Sequence, residues 1–201
     1  MLSPVPAVMA SLGEGDEANI ITIAWTGIIN SRPPMTYISV QKIRHSHDIL
    51  MKTREFVINL TTEDLVKQTD WCGVRSGRDY DKWKEMGLTK EPASVVNCPM
   101  IAESPVNLEC KVTEVKELGS HDMFMAEIVK VHVDESIIDE DGRFDVVKAG
   151  LLAYIHGHYY TVNRKPLGRF GFSVMKPKTK KRLQKEAHDK RVEANRKKRS
   201  R

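Results

Sequence analysis

Between Lys42 and His47 the chain places two long cations, three further polar groups and one isoleucine directly after an apolar run. Arg44, Ser46 and His47 are the residues of that stretch best suited to hold an anion. Ser46 fits the N-cap of a short helix over residues 48–53, with Asp48 in its first turn and Ile49, Leu50 and Met51 as its apolar side. The first turn of a helix leaves backbone N–H groups unpaired, and a hydroxyl and a guanidinium beside them make a phosphate site. Taken alone, the same residues also fit a solvated turn in which Ser46 only caps and Arg44 faces water.

Other chemistry-bearing residues are weaker signals. His45, His47, His156 and His158 suit a metal by type, yet no carboxylate or cysteine stands at ligand spacing from them, so they read as structural histidines and no metal is expected. Cys72 follows Trp71 without a His–Asp pattern and reads as a buried thiol. His121 and Phe124 follow a Gly119-Ser120 turn; together they offer a ring and a polar edge to a ligand, and separately they read as a surface histidine and a core phenylalanine.

These residues need a scaffold, and 201 residues with 40% hydrophobic content supply one domain with an appendage. No apolar stretch is long enough to cross a membrane, and the N-terminus is a poor signal peptide. Three cysteines without a CxxC suggest reduced thiols and a cytoplasmic protein. The net charge of +5 hides two regions: residues 176–201 hold 13 Lys and Arg against 3 Asp and Glu, while residues 1–175 hold 19 against 24.

The scaffold reads as mainly β. Residues 7–12 and 20–25 form a hairpin around turn-forming residues 13–19. Pro33-Pro34 breaks the chain before a strand over residues 35–42, and residues 55–62 form another. Thr61 or Thr62 can cap a helix starting at Glu63; a Gly- and Arg-containing loop from Cys72 then leads to a short helix near residues 81–86. Val106, Leu108, Cys110, Val112 and Val115 alternate inward on one long strand, with either Phe124, Ala126 and Ile128 or Met125, Val129, Val131 and Val133 on its partner. There is no GxGxxG, no Walker motif and no β-α-β alternation, which favours an antiparallel Greek-key barrel over a Rossmann sheet.

In order, "NIITIAWTGIINSRPP", "YISVQKIRHSHDILMKTREFVINL", "DWCGVRSGRDYDKW", "SPVNLECKVTEV", "GSHDMFMAEIVKVHVDE" and "YYTVNRKPLGRFGFS" resemble the FMN-binding split-barrel family of flavin reductases, and within it the flavoredoxin type. The resemblance implies a six-stranded antiparallel Greek-key split barrel over residues 1–175, a homodimer, and FMN near the subunit interface. NAD(P)H would be the electron donor, and a flavin, a ferric complex or a protein the acceptor. It places Ala24, Trp25 and Thr26 along the isoalloxazine, with Ser39, Val40 and Gln41 on the neighbouring strand. Arg44, Ser46 and His47 match the phosphate side, Lys82 a lysine near the phosphate or ribityl chain, and His121 and Phe124 a segment that meets the flavin. The flavin carries the redox chemistry, so no catalytic side chain is assigned; His121 and His156 are the candidates. Ala126 stands where the family often has glycine, and "YIHGHYY" carries two unexpected histidines.

Residues 176–201 lie beyond that resemblance. They are good helix formers with few apolar members, and read as a solvated extension or as an arm on nucleic acid. Without interleaved aromatics, such binding would be phosphate-driven and non-specific. A flavin-binding electron carrier without NAD(P)H turnover, and a polyanion-binding protein acting through this tail, are the competing functions.

Overall fold

The computed structural model describes residues 2–145, 147–162, 165–168 and 170–199. It divides into two compact units, Met1–Asn163 and Arg164–Arg201. Asn163, Arg164 and Arg169 of the last family-like stretch, and Ser200 and Arg201 of the tail, lie outside the described residues.

Alternation of apolar side chains builds the first unit. β1 (Val5–Pro6) leads into β2 (Val8–Leu12), which is buried along its whole length. β3 (Asn19–Ile23) pairs with β2 from Val8↔Ile23 to Leu12↔Asn19, the expected hairpin. β4 (Thr26–Ser31) turns back onto β5 (Pro34–Gln41), whose residues alternate between buried and half-exposed as a one-sided strand requires. α1 (His45–Thr53) follows and stops at Arg54, which adopts a left-handed conformation with φ 58°. β6 (Glu55–Leu60) re-enters the sheet beside β2.

The connection after β6 forms the outer layer. A 3-10 turn at Glu63–Leu65 precedes α2 (Val66–Val74). Thr62 occupies the cap position of that turn without a side-chain cap bond, and Thr61 instead donates to the Ala7 carbonyl at 2.5 Å. In α3 (Lys82–Met86) the Asp81 carboxylate accepts from the Trp83 and Lys84 N–H groups, and Gly87 closes the helix at φ 62°. β7 (Lys90–Glu91) and β8 (Met100–Ile101) make a small pair. β9 (Val106–Glu117) and β10 (His121–Val133) form a long hairpin, and β11 (Leu152–Ile155) and β12 (His158–Thr161) join β1 in a three-stranded sheet.

The main sheet runs β3-β2-β6-β9-β10-β5-β4, antiparallel throughout. It has seven strands rather than the six of the family expectation, because residues 26–31 pair with β5 as an edge strand. The class is a mainly β split barrel with short helices. Inward side chains of β2, β5, β6, β9 and β10 meet in one core around Phe56, Phe124, Ile38 and Leu50. Each such side chain contributes roughly 2–3 kcal/mol by leaving water. The predicted inward set includes Val112 and Val115, three residues apart on one strand. A bulge opposite Met125 and Ala126 reconciles this with the two-residue period of a strand. Alternation also sends Met9 and Ile20 to the opposite face. There they pack with Leu65, Cys72, Trp83, Leu88 and Ile101 in a second, smaller core under α2 and α3.

Glu109 is fully buried on β9. Its carboxylate accepts from the Ser94, Val95 and Val96 N–H groups at 2.8, 2.6 and 2.9 Å and lies 2.6 Å from His132 Nε2. All three cysteines are free and buried; burial pushes Cys72 up to about 11 and Cys98 up to about 12, so neither thiol ionises at neutral pH. No helix among the described residues is long and apolar enough to cross a membrane. In the second unit, a 3-10 turn at Phe172–Val174 precedes α4 (Pro177–Arg199).

Candidate functional site

A cavity of about 380 Å³ opens between the end of β5, the start of α1, and the segment from α2 to α3. Arg44, His45 and Ser46 form one wall, Cys72 and Gly73 another, and Arg75, Ser76, Gly77, Arg78 and Lys82 close it. The only charged side chains among these linings are cations, so the cavity favours an anion.

Lys82 is 4% exposed. Its ammonium donates to the Ile20 and Cys72 carbonyls, each at 2.7 Å, which leaves one of its three protons for the cavity. Burial lowers its pKa to about 8, and the neighbouring Arg44 adds to the lowering. Arg44 approaches the Gly73 carbonyl at 3.5 Å. Arg78 donates to the Ile43 carbonyl and pairs with Asp48 at 3.3 Å, and the Arg75 guanidinium lies 5.6 Å from the Tyr80 ring centre.

Ser46 does not cap α1. The helix begins at His45, with Arg44 at the cap position and no side-chain cap bond. The Ser46 hydroxyl instead accepts from Asn19 Nδ2 at 2.9 Å, which orients it into the cavity and ties α1 to the start of β3. Gly77 makes this possible: a Cβ there would stand 2.3 Å from Asn19 Oδ1. Gly77→Ala is therefore expected to drive Asn19 off Ser46 and cost about 1–3 kcal/mol in urea unfolding, the cost of leaving a buried polar group unpaired.

A second cavity of about 160 Å³ shares Ile21, Gln41 and Arg44 with the first, so the two form one cleft. Its other walls are Thr22, Ile23, Ala24 and Trp25 on one side, and Ser39, Val40 and His121 on the other. Trp25 and His121 lie with ring centres 4.5 Å apart, and Ser120 Oγ meets His121 Nδ1 at 2.9 Å. The cleft is cationic at one end and aromatic at the other.

Nine of the twelve predicted binding residues line this cleft: Ala24, Trp25, Ser39, Val40, Gln41, Arg44, Ser46, Lys82 and His121. Three do not line either cavity. Thr26 donates its hydroxyl to the Tyr37 carbonyl at 2.6 Å. Phe124 is fully buried in the barrel core, because residues three apart on a strand face opposite sides and His121 has the outer one. His47 stands edge-on to Phe124 and 2.8 Å from the buried Asp122, which Lys42 also meets at 3.3 Å. Burial pushes the Asp122 carboxyl up, but the hydrogen bonds from His47 and Lys42 prevail and hold it below its ordinary value. His156 sits at the exposed β11–β12 turn with φ 46° and lines neither cavity. Among the described residues no cluster of His, Cys, Asp and Glu could hold a metal ion.

Arg75, Ser76, Gly77, Arg78 and Asn19 were not singled out by sequence. The first four were visible as the R-S-G-R run within a functional-looking loop. Asn19 gave no signal, since its role depends on two segments meeting.

The family model of the flavin reductase-like domain matches residues 2–163. The chain belongs to the flavin reductase-like family. Among solved structures, flavoredoxin of Desulfovibrio vulgaris (Miyazaki F) is 29% identical. The match covers 86% of this chain and 94% of that one, with a TM-score of 0.80. Flavoredoxin from Methanosarcina acetivorans is 27% identical over 87% and 95% of the two chains, with a TM-score of 0.77. An uncharacterised protein of Pyrococcus abyssi is 28% identical over 77% of this chain and 88% of its own. Within this flavin reductase-like domain the matched residues end where the first compact unit ends, at residue 163.

Proposed function

We propose that the chain binds FMN along this cleft and acts as a flavin oxidoreductase. In this reading it passes electrons from NADH or NADPH to a second flavin, a ferric complex or a protein. The observation that carries the reading is the polarity of a single cleft, cationic at one end and aromatic at the other. FMN has the same polarity, a phosphate near charge −2 joined to a flat ring with a polar rim. When bound, FMN supplies the redox chemistry, taking hydride at its ring nitrogen N5.

The residues present fit that group. Arg44 and the spare Lys82 proton neutralise the phosphate through charge-assisted bonds, and the Ser46 hydroxyl donates to it. Arg75 and Arg78 raise the local positive potential. At the other end, Ala24 leaves room for a ring, and Trp25 and His121 supply flat faces for stacking. Gln41 lines both cavities and offers an amide to the linker.

Purified protein is expected to be yellow, and mixing with NADH or NADPH should bleach the flavin absorbance in stopped flow. Bound flavin that neither nucleotide bleaches would instead mark an electron carrier. A colourless protein that takes up no added FMN would end the reading.

A homodimer is part of the same proposal. β4 is a sheet edge, and Ile28 and Ile29 on it are 71% and 43% exposed beside Trp25 at 55%. Ile28→Lys is expected to shift a dimer toward monomer in sedimentation velocity; an unchanged sedimentation coefficient would place the interface elsewhere. Free thiols fit a cytoplasmic setting. The tail supports a second, separate activity, non-specific binding of nucleic-acid phosphates by residues 176–201. It would weaken steeply with salt and vanish on truncation after Met175.

A further inference from the structure

His47 and Asp122 line neither cavity of the cleft, yet each stands next in sequence to a residue that does: Ser46 at the cationic end and His121 at the aromatic end. Successive residues of a strand face opposite sides, so Asp122 turns inward where His121 turns to the cleft, and it is buried. His47, in the first turn of α1, is buried as well, and its Nε2 lies 2.8 Å from Asp122 Oδ2. Because that carboxyl stays ionised at neutral pH, Nε2 carries the proton and donates the hydrogen bond. The His47 ring also stands edge-on to Phe124, two residues along the same face of β10, with ring centres 5.5 Å apart. One bond and one ring contact fix where His47 stands and how its ring is turned.

Consecutive residues thus tie the start of α1 to both walls of the aromatic cavity. Ser46 is joined through Asn19 to β3, which runs into the wall at residues 21–25. His47 is joined through Asp122 to β10, which carries His121 of the opposite wall. Ile49 and Leu50 hold α1 against the barrel core. Apolar contact has no direction, so it fixes how deep the helix lies and not where its first turn stands along the sheet. A charge-assisted hydrogen bond has both direction and length, and supplies the missing coordinate.

We infer that the His47–Asp122 pair is a strut that sets the spacing between the cationic and aromatic ends of the cleft, and so favours a ligand that carries a phosphate and a flat ring at that spacing. The inference rests on the reading of the cleft as an FMN site. His47 and Asp122 are positioning residues in it: they act through Ser46 and His121, their neighbours on the cleft side. A ligand with both ends gains from a correct spacing, because once one end is seated the other is already in place. A ligand with one end only settles in its own half and gains nothing from the strut. Riboflavin, which lacks the phosphate, and inorganic phosphate, which lacks the ring, are the two halves of FMN in this sense.

The test uses the full chain and three probes: FMN and riboflavin read by flavin fluorescence, and inorganic phosphate read by phosphorus NMR. The double variant His47→Leu/Asp122→Leu removes both partners, so no buried polar group is left unpaired, and Lys42 keeps Glu117 at 2.8 Å. Its FMN affinity is expected to fall about tenfold, while riboflavin and phosphate bind within about twofold of wild type. The near-isosteric Asp122→Asn keeps the packing and turns a charge-assisted bond into a neutral one, so it should weaken FMN about threefold and spare both halves; it carries the test if the double variant does not fold. His47→Gln, whose amide N–H reaches toward Asp122, should recover most of the FMN affinity. Unchanged FMN affinity in the double variant and in Asp122→Asn would overturn the inference. So would riboflavin or phosphate weakened as much as FMN, which would make the pair a plain structural tie, or a glutamine variant no better than the leucine pair. A wild-type chain that takes up no FMN would instead overturn the proposed function, and the strut with it.

Discussion

Replacing Lys82 with methionine is expected to weaken FMN binding about 100-fold, read by flavin fluorescence titration. The variant keeps the length and apolar stem of the side chain and removes the one cation among the described residues that is both buried and aimed at the cleft. A charge-assisted bond in a dry setting accounts for roughly 2–3 kcal/mol, which corresponds to that factor. The same side chain sets a pH dependence that needs no variant. Folded, Lys82 loses its proton near pH 8; unfolded, it keeps it to about 10.5. Across that window the unfolded chain holds a proton that the folded chain has released, so the stability of the ligand-free protein rises with pH, by at most about 3 kcal/mol. Anion binding needs the proton, so FMN affinity falls over the same window. Opposite slopes of stability and affinity above pH 8 would be the signature of Lys82. Parallel slopes, or an affinity indifferent to Lys82→Met, would assign the phosphate to the arginines alone.

The second large effect is on stability. Glu109→Gln is expected to lower the melting temperature by on the order of 10 °C. One carboxylate satisfies three backbone N–H groups of the loop at residues 94–96 and pairs with His132. A glutamine turns an NH₂ toward donors and cannot replace both oxygens. Breaking a buried pair of this kind costs about 3–5 kcal/mol, and each kcal/mol shifts the melting point of a domain this size by roughly 2–4 °C. Glu109→Leu should do no better, because the loop N–H groups would still lack partners; recovery in the leucine variant would refute the account. Burial pushes the Glu109 carboxyl up, yet His132 and the loop N–H groups prevail and hold it below its ordinary value. Its contribution is therefore present above the unfolded carboxylate pKa, about 4.3, and is lost as pH falls through the lower folded value. Wild type and variant should converge in acid.

Much of the fold was legible because alternation is a local property. The hairpins β2–β3 and β9–β10 followed from residues two apart, and the short helix expected near residues 81–86 is α3, with Asp81 as its cap rather than its first residue. What the sequence could not show was which segments meet. Ser46 looked like a cap because its partner Asn19 lies 27 positions earlier, on another strand. The grouping of His121 with Phe124, made from their residue types and repeated by the family resemblance, conflicts with the pleat, which sets residues three apart on opposite faces. His47 read as one more cation beside Arg44, but a buried Asp122 turns it inward. The edge strand β4 was hidden because exposed isoleucines look the same in a turn as at a sheet edge.

The two cores divide the cleft. Ser39 and His121 belong to strands of the barrel sheet and Trp25 to the bend that joins β3 to β4, whereas Gly73, Arg75, Arg78 and Lys82 belong to the outer layer, which rests on the smaller core around Trp83 and Ile101. Lys82 joins the two, since its ammonium bridges the Ile20 carbonyl of β3 and the Cys72 carbonyl of α2. A layer with less buried apolar area opens more often than the barrel beneath it. Cofactor exchange then has a path that leaves the barrel intact. Amide hydrogen exchange in α2 and α3 becomes a gauge of occupancy, slow with the phosphate held and fast once it leaves, while exchange in β6 and β9 stays constant.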